Sequence, residues 1–238
     1  MTKEEFIKSL EDLNITVTDE ILNKLEILIN ELILYNKHTN LTRILNPVDI
    51  YLKHFYDSLT ITKIIDLNNI DNLIDLGSGA GFPGLIIKLF FPNIEATLLD
   101  SNIKKITWLN YISKKLELDV NIIHERIENY SKNNLNKYTI VTSRAVANLR
   151  VLLELSLPLV KENGYFIPLK GNIDNEISHL EGTLNHFNTL LIDIKTFKLI
   201  NEESTRNILK YQKRSLSTLD DIRPYDKILK KPLKKWLF

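Results

Sequence analysis

Four of the chain's seven glycines fall between positions 77 and 84, in the stretch Asn72-Leu73-Ile74-Asp75-Leu76-Gly77-Ser78-Gly79-Ala80-Gly81-Phe82-Pro83-Gly84, and no other feature restricts the fold as strongly. Residues 73–76 are an apolar run with the length of a short buried strand. The glycines that follow let the backbone turn sharply and approach a ligand closely, which a Cβ would obstruct. From residue 85 the run of Leu85, Ile86, Ile87, Leu89 and Phe90 predicts a helix. A strand, a glycine loop and a helix N-terminus together make a nucleotide-type site, because the N–H groups and dipole of the first turn favour polar or anionic atoms.

Two ligand classes use such a loop, and spacing weighs between them. The frame Gly79-Ala80-Gly81-Phe82-Pro83-Gly84 satisfies G-x-G-x-x-G, the dinucleotide fingerprint. The first glycine after the apolar run is Gly77, however, and from there the pattern is G-x-G-x-G with Asp75 in the strand end, as in S-adenosylmethionine (SAM) enzymes. Gly77 and Gly79 are the candidate cofactor contacts in that frame. Sixteen residues after Gly84 a second apolar run, 96–99, ends in Asp100. A carboxylate there can accept hydrogen bonds from both ribose hydroxyls. It also suits the cap of a helix beginning near Asn102, and the two roles are compatible.

The remaining periodicity alternates strand and helix. A helix is expected over 102–116, a third strand over 120–123, a fourth over 138–142, a helix over 149–160 and a fifth strand over 164–169. A helix over 173–186 and two neighbouring strands over 190–199 and 206–211, the last pair antiparallel, complete an α/β fold. The pattern is the one expected of a Rossmann-like SAM-dependent methyltransferase sheet of seven mostly parallel strands, with an N-terminal helical extension. Ligands bind beyond the carboxyl ends of such strands. Ile127 and Glu128, just past the third strand, can supply an apolar wall and a polar contact at the adenine end. Arg144 and Lys170 leave the fourth and fifth strands at one edge, and two cations there suit a phosphate-bearing substrate.

Helical periodicity over 4–13 and 20–37 precedes this core, with Ile21, Leu25, Leu28, Leu32 and Tyr35 on one face. The expected organisation is a helical extension over 1–66 packed on the core, a SAM-binding core over 67–212 and a basic C-terminal tail over 213–238. On a helix from residue 49, His54 and Asp57 share a face, as a hydrogen-bonded or ligand-facing pair or as polar residues at a core boundary. After Asp220 and Asp221 the tail carries Arg223, Lys227, Lys230, Lys231, Lys234 and Lys235 against the single acid Asp226, whereas the whole chain has a net charge of only +1. Such a tail is either a solvated basic end or a phosphate contact.

Composition excludes several classes. With no cysteine the chain has no disulfide, thiolate metal site or cysteine nucleophile, and no metal site is expected. No apolar run has the length of a membrane span and no signal-peptide core is present, so a cytoplasmic monomer without membrane contact is expected.

The ordered pieces Asn40-Leu41-Thr42, His54-Phe55-Tyr56-Asp57-Ser58, the glycine loop with its Gly-Phe-Pro-Gly ending, Leu98-Leu99-Asp100-Ser101, Ser143-Arg144-Ala145 and Leu169-Lys170-Gly171 span most of the chain. In these the sequence resembles the bacterial small-subunit ribosomal RNA guanine-N7 methyltransferases, the glucose-inhibited division protein B family. Arg223-Pro224-Tyr225 and Lys230-Lys231-Pro232-Leu233 resemble the family's basic ending, while residues 204–212 match its acid, arginine and apolar-strand pattern imperfectly. The resemblance implies methyl transfer from SAM to N7 of a guanine, position 527 of 16S ribosomal RNA, on the RNA or the small ribosomal subunit. It implies cofactor contacts at Gly77, Phe82, Ile127, Glu128 and Arg144, with Asp100 at the ribose.

N7 of guanine carries an in-plane lone pair outside Watson–Crick pairing, so its methylation needs orientation and no general base. Arg144 and Lys170 are the expected substrate-positioning residues, and Arg43, His54 and Arg126 are further RNA-binding candidates. The competing readings are a small-molecule methyltransferase, a dinucleotide-dependent oxidoreductase and a noncatalytic RNA-binding protein.

Overall fold

The computed structural model describes residues 1–178, 180–200, 202–231 and 233. Helix α1 (Lys3–Glu11) starts on a capping box in which Thr2 and Glu5 satisfy each other's backbone N–H. Helix α2 (Asp19–Thr39) is capped by the Thr18 hydroxyl, as expected for a threonine ahead of an acidic first turn. A short α3 (Pro47–Ile50) runs into a π-helical turn, Tyr51–Tyr56, and then α4 (Asp57–Leu59). The sequence predicted a plain helix here; the wider turn is the difference.

The core then alternates β1 (Asn72–Leu76), α5 (Gly84–Phe90), β2 (Glu95–Asp100), α6 (Ile103–Lys115), β3 (Val120–His124), α7 (Ile127–Ser131), β4 (Tyr138–Arg144), α8 (Leu149–Ser156) and β5 (Val160–Lys170). It closes with α9 (Glu181–His186), β6 (Thr189–Lys198), β7 (Thr205–Lys213) and α10 (Tyr225–Lys230). The seven strands lie in the order β3-β2-β1-β4-β5-β7-β6, with β7 antiparallel to both neighbours and the other pairs parallel. The expected methyltransferase sheet is therefore present, and its order reverses between β1 and β4, where ligands bind in open α/β sheets. No helix among the described residues is long and apolar enough to cross a membrane.

Strand β1 shows how the sheet is buried on both faces. Ile74 and Leu76 point into the core shared with α7, α8 and α9, whereas Leu73 points to the opposite side, against Ile87, Ile140 and Ile167. The N-terminal helices join α5 and α6 on that opposite side. Phe6 packs against Tyr51, Phe55 and Phe90, and Tyr35 against Trp108. The Trp108 indole donates to the Ala80 carbonyl at 3.0 Å, pinning the glycine loop from outside.

Two predicted helices are shorter than their sequences suggested. In place of a helix over 173–186 only Glu181–His186 is helical. Asn172 accepts from the Asp174 N–H, making a local turn, and Glu176 is drawn away to accept from the Leu149 N–H and to pair with Lys170. The helix expected over 149–160 ends at Ser156, because Pro158 lies in a 3-10 turn and Val160 already pairs with Tyr138 as the start of β5.

Candidate functional site

The glycine loop is held by local hydrogen bonds. Gly77 and Ser78 donate to the Leu99 carbonyl at 2.8 and 3.1 Å, and the Ser78 hydroxyl donates to the Asp75 carbonyl at 2.8 Å. Gly77 has φ +66°, and a Cβ built there would lie 2.7 Å from Val146 Cγ2, so only glycine fits the turn. Asp75 is fully buried and accepts from the Gly84 N–H at 2.9 Å, while its Oδ1 has no hydrogen-bond partner. Burial pushes its carboxyl up to about 7, against the lowering influence of that N–H and of Arg144.

One cleft opens at the carboxyl ends of β1, β2 and β3. It measures about 250 Å3 and is lined by Gly77, Leu99, Asp100, Arg126, Ile127, Glu128, Val146, Leu155 and Tyr225 among others. Asp100 uses one oxygen on the Gly79 N–H at 3.0 Å and the other on the Asn102 N–H at 2.8 Å. Asn102 caps α6, so Asp100 serves as an anchor one step before the cap. Lys105 stands 3.7 Å from the same carboxylate.

A second cleft of about 320 Å3 opens on the other side of the turn after β4, lined by Ile44, Lys53, His54, Asp57, Arg144, Lys170 and Arg206 among others. Arg144 is its hub. It donates to the Lys53 carbonyl at 2.8 Å, to Asp57 Oδ2 at 3.1 Å and to His54 Nδ1 at 3.3 Å. The other Asp57 oxygen takes Arg206 Nε at 3.2 Å. A guanidinium only donates, so His54 must present a bare Nδ1 and carry its proton on Nε2, which lies 3.1 Å from the Thr42 hydroxyl. Burial and the adjacent Arg144 push the His54 pKa down to about 3. Its ring stacks on Phe82 at 4.3 Å, and the Arg144 guanidinium lies 5.6 Å from the same Phe82 ring. Ala145 follows with φ +56°, a left-handed conformation rare for alanine, in the bend that separates the two clefts.

Of the residues read from sequence, the first cleft collects Gly77, Asp100, Arg126, Ile127 and Glu128, and the second collects His54, Arg144 and Lys170. Gly79 contributes a backbone donor to Asp100, and Phe82 faces His54. Arg43 is exposed and lines neither cleft.

The structure decides two open readings and corrects one expectation. His54 and Asp57 are satisfied polar residues at the core boundary, both bound to Arg144 and not to each other. Arg144 pairs with Asp57, and Lys170 with Glu176 at 2.8 Å. Arg223, read as part of a solvated or phosphate-contacting tail, is paired with Glu154 at 2.7 Å and is mostly buried. Lys234 and Lys235 of that tail lie outside the described residues. Sequence reasoning missed Arg206, Val146, Leu155 and Tyr225. The only signal for Arg206 was its place in the imperfect acid–arginine pattern of 204–212.

A family profile described as GidB, rRNA small subunit methyltransferase G, matches residues 21–205. The chain is 39% identical over 223 residues to Ribosomal RNA small subunit methyltransferase G of Acholeplasma laidlawii, covering 93% of this chain and 96% of that one. It is 40% identical over 217 residues to the protein of the same name from Bacillus subtilis, covering 90% and 91%. Among solved structures, M. jannaschii TYW2 in complex with AdoMet shares the fold, with a TM-score of 0.52 and 14% identity over 62% of this chain and 71% of that one.

Proposed function

Because the chain belongs to the rRNA small subunit methyltransferase G family, it is a methyltransferase of small-subunit rRNA, and we propose that it methylates N7 of a guanine, position 527 of 16S rRNA, with SAM as the donor. The observation that carries this reading is the pair of clefts on either side of the turn after β4. One has a ribose-type carboxylate between apolar walls, and the other is rich in cations.

The residues of the first cleft fit SAM. Gly77 brings bare backbone to the wall of the cleft in a turn with no room for a Cβ, Leu99 and Ile127 are apolar faces for an adenine, and Asp100 stands at the ribose. When bound, SAM supplies an electrophilic methyl group on its sulfonium. Gly77, Asp100, Ile127 and Glu128 are the direct contacts in this reading, with Gly79 holding Asp100 in place. Phe82 acts through His54 and Arg144.

In the second cleft Arg144 and Lys170, joined by Arg206, position the target nucleotide through its phosphate or the guanine edge. Their carboxylate partners keep these long side chains in fixed directions, so less side-chain entropy is lost when RNA arrives. Guanine N7 has no proton to remove, and the cleft offers no idle base: His54 is hydrogen-bonded at both nitrogens and Asp57 at both oxygens.

The test is methyl transfer from labelled SAM to small subunits and 16S RNA that lack the modification, followed by nucleoside mass spectrometry. Label in 7-methylguanosine at one site is the expected result. Label in another nucleoside, or none in RNA from protein that binds SAM, would overturn it.

A further inference from the structure

From the end of β7 onward the chain is fastened down at successive points. Lys213, fully buried, donates to Asn136 Oδ1 at 2.7 Å and to the carbonyls of Leu157 and Val160 at 2.9 and 2.8 Å. Asn136 in turn exchanges hydrogen bonds with the Ser217 backbone at 2.8 and 2.9 Å. Asp221 meets His186 at 2.7 Å. The last anchor is Arg223, whose Nη1 lies 2.7 Å from Glu154 Oε2, and whose other nitrogen donates to the carbonyls of Lys227 and Lys231. Glu154 Oε1 accepts from the Leu233 N–H at 3.2 Å.

Glu154 is 3% exposed on a helix face that could hold an apolar residue, and burial raises its carboxyl pKa. A charge in that position costs free energy unless its partners are fixed around it. What the fixed geometry achieves is visible two residues after Arg223. Tyr225, the first residue of α10, is half-buried and lines the first cleft together with Leu155, the neighbour of Glu154 on α8. Among the described residues after β7, it alone lines that cleft.

We infer that Tyr225 is a cofactor-binding residue, the outer wall of the adenosine end of the cleft, and that the Arg223–Glu154 ion pair is its positioning clamp. The inference rests on the reading of that cleft as the SAM site. The phenol ring offers a flat apolar face to a purine in the cleft it shares with Leu99 and Ile127, at small conformational cost. Arg223 thereby gains a role other than contact with RNA phosphates.

The full-length protein is titrated with SAM and with S-adenosylhomocysteine by calorimetry, comparing wild type with Tyr225→Ala, Tyr225→Phe and Glu154→Gln. Both ligands share the adenosine, so Tyr225→Ala should weaken both equally, by about tenfold, while Tyr225→Phe keeps most of the affinity. Glu154→Gln should weaken both ligands as well and raise KM for SAM more than it lowers kcat, with RNA affinity held. Tyr225 is only half-buried, so Tyr225→Ala decides the matter if Glu154→Gln fails to fold. Wild-type affinity in Tyr225→Ala, or a loss confined to RNA binding, would overturn the inference while leaving the cleft assignment intact. Wild-type protein that binds neither ligand would overturn the cleft assignment and this inference with it.

Discussion

The two clefts meet at one turn, yet they are built from different kinds of contact. The cofactor cleft is assembled mainly by consecutive elements, with Gly77 and Ser78 bonded to the end of the next strand and Gly84 to Asp75 nine positions earlier. The substrate-side cleft joins residues 87 to 149 positions apart, Asp57 holding Arg144 on β4 and Arg206 on β7. The first is backbone geometry that only glycine permits. The second is a web of side chains whose members could each be replaced without breaking a strand. Damage to the first should therefore appear in folding, and damage to the second in RNA-dependent turnover.

The largest expected effect tests the backbone half. A Cβ at Gly84 would collide with the Leu98 side chain and come within 2.8 Å of Asp75 Cβ, all of them buried. Gly84→Ala should cost about 3 kcal/mol, at the upper end of overpacking penalties, measured by urea denaturation. Gly79→Ala is the control, since its Cβ would find nothing nearer than 3.8 Å. Only its left-handed φ resists, at about 1 kcal/mol. Equal losses in the two variants would break the claim that close packing fixes the loop.

Asp57→Ala probes the side-chain half. It strips the acceptor from two guanidinium groups that are themselves mostly buried, and should cost about 2 kcal/mol of stability. Turnover should fall more than that implies, because Arg144 and Arg206 lose their shared reference point. The double variant with Arg206→Ala should show coupling of about 1 kcal/mol rather than simple additivity. Additive losses would mean that Asp57 holds one arginine only.

The same contrast decides what could be read from the chain. Strand, glycine loop and the strand end at Asp100 are legible because period, turn chemistry and spacing are written over about thirty consecutive residues. Arg206 was hidden because nothing near it in sequence tells of Asp57. The helix over 173–186 failed because Glu176 is pulled into a long-range pair with Lys170, and local periodicity carries no trace of that competition. Tyr225 lay in a stretch whose lysines suggested solvent, yet Lys227 and Lys230 are exposed while the arginine beside them reaches inward.

Each half also holds a buried titratable group whose pKa is strongly displaced, and the two oppose each other. Asp75 keeps its proton to about 7 when folded but releases it near 3.8 when unfolded, so it lowers stability as pH rises through that window. His54 is protonated only below about 3 when folded but below 6.5 when unfolded, so it lowers stability as pH falls through its window. Between roughly 4 and 6.5 the contributions run in opposite directions and largely cancel. Asp75→Asn should unmask stability that rises with pH, and His54→Gln stability that falls with it, each by about 1.4 kcal/mol per unit at most. Urea midpoints from pH 4 to 7 measure both, and slopes of the same sign would refute the opposition.

The smallest effects belong to the exposed arginines, and they ask on which side the RNA lies. Arg43 follows Thr42, whose hydroxyl meets His54, so it sits beside the cation-rich cleft. Arg126 rims the cofactor cleft, 3.9 Å from Glu128, and that carboxylate offsets part of its charge. Neither substitution should move stability by more than about 0.5 kcal/mol. If RNA approaches over the second cleft, Arg43→Ala removes one phosphate contact and lowers the slope of log affinity against log salt by about one, whereas Arg126→Ala leaves it unchanged. The reverse pattern would place the RNA over the cofactor cleft, and the division of labour between the two regions would have to be drawn the other way.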